Sequence, residues 1–121
     1  MTVLLVDDEI CITSLVSMML TNAGHEVLIA NSAEDAIVQA KLGRKEIDLV
    51  LTDIMMPLLS GGDLAVYLKN AFPHFKFLFM SGYSREELLE KGFNPEGRHF
   101  IEKPFTYTKL FTKVEEVLGE D

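Results

Sequence analysis

The sequence predicts an α/β fold, a doubly wound parallel sheet of five strands with helices on both faces. Three observations carry that prediction. Short apolar, β-rich runs recur five times; the segments between them switch to helical period; and several of those segments open or close on capping residues. The runs show little polar alternation, as expected of strands buried on both faces.

The first run, "TVLLV" (2–6), is followed by a helical stripe of Ile12, Leu15, Val16, Met19 and Leu20, with Gly24 placed to end it. "EVLIA" (26–30) leads into the stripe Ala33, Ala36, Ile37 and Ala40; Ser32 with Asp35 three residues on marks its start, and Gly43 its end. "DLVLT" (48–52) precedes a third stripe of Leu64, Tyr67, Leu68 and Ala71. "KFLFM" (76–80) precedes a shorter helix after Ser84, where Glu87 completes a capping pair, and "GFNPEGR" (92–98) reads as a surface loop. "HFIEK" (99–103) leads to a last helix carrying Leu110, Phe111, Val114, Val117 and Leu118. Strands alternating with helices in this way require right-handed crossovers and a parallel sheet.

A chain of 121 residues suits one domain, with 48% apolar and 25% charged residues. No run approaches the roughly 18 to 20 apolar residues of a membrane span, and "MTVLLVDDE" lacks the basic and apolar regions of a secretory signal, so a cytoplasmic protein without membrane insertion is expected. The single cysteine, Cys11, has no internal partner and reads as a packed, inert thiol in a reducing compartment. A formal charge of −8 opposes direct nucleic-acid binding, since phosphates would be repelled. His25, His74 and His99 show no metal-ligand spacing and read as surface or packing residues, and Arg44-Lys45 and Glu86-Glu87 as solvated helix-end charges.

In an open parallel sheet, ligands bind beyond the carboxyl ends of the strands. The residues falling there are Asp7 and Asp8, Asp53, Ser81, and Lys103 followed by Pro104. Each alone is explicable as a cap, a turn residue or a solvated charge. Jointly, four segments would have to place reactive groups on one edge by coincidence. Two carboxylates about 4 Å apart repel by about 4 kcal/mol at an effective dielectric of 20, so a bound cation is implied. All-oxygen ligands suit Mg²⁺, and Mg²⁺ suggests phosphoryl chemistry. A carboxylate can attack phosphorus, Lys103 can balance charge on the phosphoryl oxygens, and Ser81 can hydrogen-bond the new group. A carboxylate-nucleophile phosphatase of the haloacid dehalogenase type would need an acid where Met55 stands. An FMN-binding electron carrier would need Gly, Ser and Thr donors where the first loop has acids.

"LLVDDE", "LVLTDIMMP", "FMSGYS" and "FIEKPF", in that order and spacing, resemble the receiver domains of two-component response regulators over essentially the whole chain. The resemblance implies a single flavodoxin-like receiver domain, residues 1–121, with strand order 2-1-3-4-5. It implies that Asp53 accepts phosphate from a phosphohistidine on a partner histidine kinase or histidine phosphotransfer domain, acting as a signalling domain and not a turnover enzyme. Asp8, Asp53 and the carbonyl of Met55 would hold Mg²⁺ (Mn²⁺ as the alternative), with Asp7 acting mainly through water. Lys103 would contact the phosphoryl group, Ser81 would move toward it, and Phe100 would rotate inward, changing the surface of the fourth helix, fifth strand and fifth helix. The Lys103-Pro104 bond would be cis, Pro57 would close the turn after Asp53, and Gly61 and Gly62 would loosen entry to the third helix. Met55 and Tyr83 would set phosphate lifetime. A monomer or a phosphorylation-dependent dimer is implied, and "FLFMSGYSREEL" is similar to receivers of hybrid sensor kinases. The competing reading is a receiver-like interaction module that works without phosphate.

Overall fold

The computed structural model describes residues 1–43 and 45–120. Arg44 of the expected helix-end charge pair lies outside the described residues. Strands β1 (Thr2–Val6), β2 (Glu26–Ala30), β3 (Leu49–Asp53), β4 (Lys76–Ser81) and β5 (Phe100–Glu102) alternate with helices α1 (Ile10–Asn22), α2 (Ala33–Leu42), α3 (Gly61–Ala71), α4 (Arg85–Glu90) and α5 (Tyr107–Leu118). All pairings are parallel, and the strand order is β2-β1-β3-β4-β5. No helix among the described residues is long and apolar enough to cross a membrane.

The absence of polar alternation in the strands has a direct structural cause. Val3 and Leu5 pack on one face with Val16 and Leu20 of α1 and Leu110, Val114 and Val117 of α5. Their neighbours Leu4 and Val6 pack on the other face with Ala33, Ala36 and Ala40 of α2 and Leu64 and Leu68 of α3. Successive side chains point to opposite faces, so a strand covered on both must be apolar throughout. A smaller cluster of Ile54, Ala65, Phe79 and Leu88 seats α4 on the sheet.

Capping residues place the helices. Ser32 accepts from the Asp35 N–H, and Ser84 and Glu87 form a reciprocal capping box. Ser60 accepts from the Asp63 N–H and Thr106 from the Lys109 N–H; Asp63 repeats the spacing of Ser32 and Asp35, whereas α5 has no acid three residues after its cap and so lacks the paired signal. Gly43 takes the left-handed conformation that ends α2. α1 is different: its N-cap is Glu9, which makes no side-chain capping bond, so Asp8 is not the helix cap.

Several expected positions differ. Leu15, Tyr67 and Phe111 are exposed, and so is Ala71, because each helix lies on the sheet by a single narrow arc and these residues flank it. Cys11 is exposed rather than packed, on the solvent side of the first turn of α1. β3 runs one residue further than expected, so Asp53 is held in strand conformation opposite Met80. β5 is short, pairing only Phe100, Ile101 and Glu102 with β4.

Candidate functional site at the carboxyl edge of the sheet

Asp7 follows the interior strand β1 and is completely buried. Its Oδ1 accepts the Glu9 N–H at 3.0 Å, and its Oδ2 accepts from Lys103 Nζ at 3.0 Å. The first contact falls on the N–H of the α1 N-cap residue and ties the entry of α1 to the end of β1. Asp53 ends β3 beside it with 6% exposure. Lys103 Nζ lies 3.6 Å from Asp53 Oδ1, so one ammonium spans the two buried acids. Lys103 is positioned by its own N–H, which donates to the Ser81 carbonyl at 2.6 Å; its peptide bond to Pro104 is cis.

Asp7, Glu9 and Asp53 each present a carboxylate oxygen, all within 4.8 Å of one another. Asp8 is exposed and stands outside that group. Glu9 is thus a member of the site that sequence reading missed. Its only signal was a third acid directly after the Asp pair. The Asp53 carboxyl is pushed up to about 6, first by burial; Lys103 opposes this, Asp7 adds to it, the Met55 N–H opposes it, and Asp8 adds to it. An acid held in this way is short of positive charge, and Lys103 alone does not supply enough. Clustered carboxylate oxygens with that deficit fit a hard divalent cation such as Mg²⁺.

Ser81 is buried, and its hydroxyl is engaged within its own loop: Oγ accepts the Tyr83 N–H at 2.9 Å and donates to the Tyr83 carbonyl at 3.2 Å. Tyr83 is half-buried with Lys91 Nζ 4.6 Å from its ring centre. Phe100 is half-buried, with the Arg85 guanidinium 5.7 Å from its ring. Met55 is 43% exposed at the mouth of the site.

Gly61 does the opposite of loosening α3. Its N–H donates to the Ile54 carbonyl at 2.8 Å, and a Cβ on it would lie 2.1 Å from the Asp53 carbonyl oxygen. Only glycine lets the start of α3 rest against the main chain of Asp53. Gly62 faces Phe93 and Arg98 instead, with a built Cβ 3.1 Å from the Phe93 ring.

A doubly wound parallel sheet with a carboxylate cluster and a lysine beyond its strand ends defines a class of α/β domain in which the carboxyl edge is the general place for ligands. The family within that class follows from comparison: the model of the response regulator receiver domain matches residues 3–115, and the chain belongs to this family. The sensor kinase CckA of Brucella abortus (strain 2308) is 34% identical over 119 residues, which is 97% of this chain and 12% of the kinase. A response regulator receiver protein from Sinorhizobium medicae WSM419 superimposes with a TM-score of 0.82 at 32% identity, covering 97% of this chain and 93% of that one. The CheX-CheY-BeF3-Mg²⁺ complex from Borrelia burgdorferi gives 0.83 at 26% identity, covering 98% and 90%.

Proposed function

We propose that this receiver domain is a phosphoacceptor in two-component signalling, with Asp53 taking a phosphoryl group from a phosphohistidine on a histidine kinase or phosphotransfer domain. The observation that supports this most is the Asp53 carboxylate itself, at the end of β3, 3.6 Å from Lys103 Nζ and within the acid cluster. In the transfer an Asp53 oxygen forms the new bond to phosphorus as the bond from phosphorus to the imidazole nitrogen breaks, and the imidazole keeps the electron pair. Lys103 balances charge on the phosphoryl oxygens. Mg²⁺, when bound, neutralises further charge there. The residues to hold it are Asp53, Asp8 and the Met55 carbonyl, with Asp7 through water. Asp8 is exposed while Glu9 stands with Asp7 and Asp53, so Asp8 has to turn inward to join them. The chain acts once per phosphoryl group and is a signalling element rather than a turnover enzyme.

The new dianion gives Ser81 a stronger partner than the Tyr83 main chain, so the loop after β4 moves toward Asp53. Phe100 then leaves Arg85 and turns inward, and the face built by α4, β5 and α5 changes for a partner to read. The test of the acceptor is incubation with acetyl phosphate and Mg²⁺, followed by intact mass. One base-labile phosphate is expected on the wild type and none on Asp53→Asn; equal labelling of both would reassign the acceptor, and no labelling of either would favour a phosphate-independent module.

Phosphate lifetime rests on Met55 and Tyr83. Hydrolysis needs a water in line behind phosphorus, and Met55 offers no strong hydrogen bond to orient one. The Tyr83 ring, held between Lys91 and the cluster of Ile54 and Leu88, is the second side chain whose bulk is expected to limit solvent entry. Decay of the Asp53 phosphate in excess Mg²⁺ is expected to be about tenfold or more faster in a Met55→Asn, Tyr83→Glu double variant. Equal or slower decay would remove these side chains from the shielding role.

A further inference from the structure

At the opposite edge of the sheet from Asp53, α5 ends beside the residue that leads into β5. Three ligand-type groups meet there: His99, Glu116 and Glu120, each offering an atom within 4.8 Å of the others. His99 Nε2 lies 2.7 Å from Glu120 Oε1. Sequence spacing gave no hint of this, because His99 and the glutamates come from different segments.

The two carboxylates favour a cation, and although Lys69 and Arg98 line the adjoining cleft, Lys69 Nζ donates to the Pro73 and Phe75 carbonyls and the Arg98 guanidinium lies over the Phe93 ring. Glu116 and Glu120 are four residues apart and repel, and they sit at the negative end of the α5 dipole. The last turn of α5 contains no basic residue. Lys76 reaches this end from β4, but its Nζ donates to the carbonyls of Leu118 and Glu120, leaving the carboxylates unpaired by it. Lys113 Nζ is 3.3 Å from Glu116 Oε2, which leaves the other oxygen of that carboxylate free of it. Glu115 is directed elsewhere, to His25 Nε2 at 3.2 Å.

We propose that His99, Glu116 and Glu120 form a second metal site, for a transition ion of the Zn²⁺ class. One imidazole and two carboxylates match the borderline ligands of zinc, whereas Mg²⁺ prefers oxygen alone. Zinc bonds of about 2.0 to 2.2 Å place neighbouring ligand atoms about 3.3 Å apart, so His99 and Glu120 must open from their 2.7 Å contact to admit the ion while rotation of the glutamates brings the wider pairs in. The side chains of Glu116 and Glu120 are 52% and 50% exposed and have the room to do so. His99 and Glu120 also line an open cleft of about 560 Å³, so the cluster is reachable from solvent. A bound ion ties the end of α5 to the residue before Phe100, bracing one edge of the face that contains α5 and β5.

The test is calorimetric titration of the protein with ZnCl₂ in saturating Mg²⁺, which keeps the strand-end acids occupied. One equivalent is expected to bind to the wild type and to Asp53→Asn alike. His99→Asn, Glu116→Gln and Glu120→Gln should each weaken binding by about tenfold or more, with unchanged circular dichroism and melting in the absence of zinc. Absence of zinc uptake by the wild type would reduce the cluster to an ion pair. Binding that survives His99→Asn but is lost in Asp53→Asn would place the zinc among the strand-end acids and overturn the proposal.

Discussion

In the metal-free protein, Asp53→Asn is expected to raise stability at neutral pH by about 1 to 3 kcal/mol, while removing the phosphoacceptor. The folded protein holds this carboxyl at about 6 against an ordinary 3.8, chiefly through burial. A raised acid favours the folded state only while it is protonated. Below 3.8 the group is protonated whether the chain is folded or not, and its ionisation costs nothing; the cost grows between 3.8 and 6 and is complete above 6. The gap between variant and wild type should therefore be small at the acid end of that window and full above it. Urea unfolding in chelator across this range measures it, and a gap independent of pH would contradict the burial argument. Added Mg²⁺ should stabilise the wild type, by about 2.7 kcal/mol at a hundredfold excess over its dissociation constant, and should close the gap. A wild type indifferent to Mg²⁺ would remove the metal from the site.

Gly61→Ala is expected to cost about 2 to 4 kcal/mol and to impair phosphate uptake. The added methyl would sit 2.1 Å from the Asp53 carbonyl oxygen, which belongs to the main chain and has no rotamer to yield. Either α3 must move away from β3 or the end of β3 must shift. In both cases the bond from the Gly61 N–H to the Ile54 carbonyl is disturbed, and Asp53 changes its aim toward Lys103. Gly62→Ala is the control, because its methyl meets the Phe93 ring at 3.1 Å and a side chain can give way. Melting and acetyl-phosphate labelling of the two variants separate the effects. Equal losses in both would show that the contact with Asp53 is not the limiting one.

Burial patterns and the residues at strand ends were legible without coordinates, because both are local. Val3 to Val6 are apolar since each face of β1 is covered, and that requirement is written at every position. Asp7, Asp53, Ser81 and Lys103 follow from knowing that parallel strands deliver their carboxyl ends to one edge. Leu15 lies outside the buried arc because helical period identifies a face but not how wide an arc the sheet will cover; Cys11, expected to be packed only because it has no cysteine partner, is exposed as well.

The sequence by itself determined the alternation of elements, the two-sided burial of the sheet and the edge on which the acids, serine and lysine gather. Tertiary structure decided which of those groups touch. Lys103 Nζ reaches Asp7 across 96 residues, Glu9 takes the place beside Asp53 that the Asp pair suggested for Asp8, and the main chain of Asp53 leaves no space for a Cβ at Gly61. His99 meets Glu116 and Glu120 only because α5 runs antiparallel to the strands and ends where β5 begins. The division has a physical cause. Period and capping arise from interactions between residues a turn or a pleat apart, whereas contacts across the sheet depend on the path of the whole chain and on packing within a few tenths of an ångström.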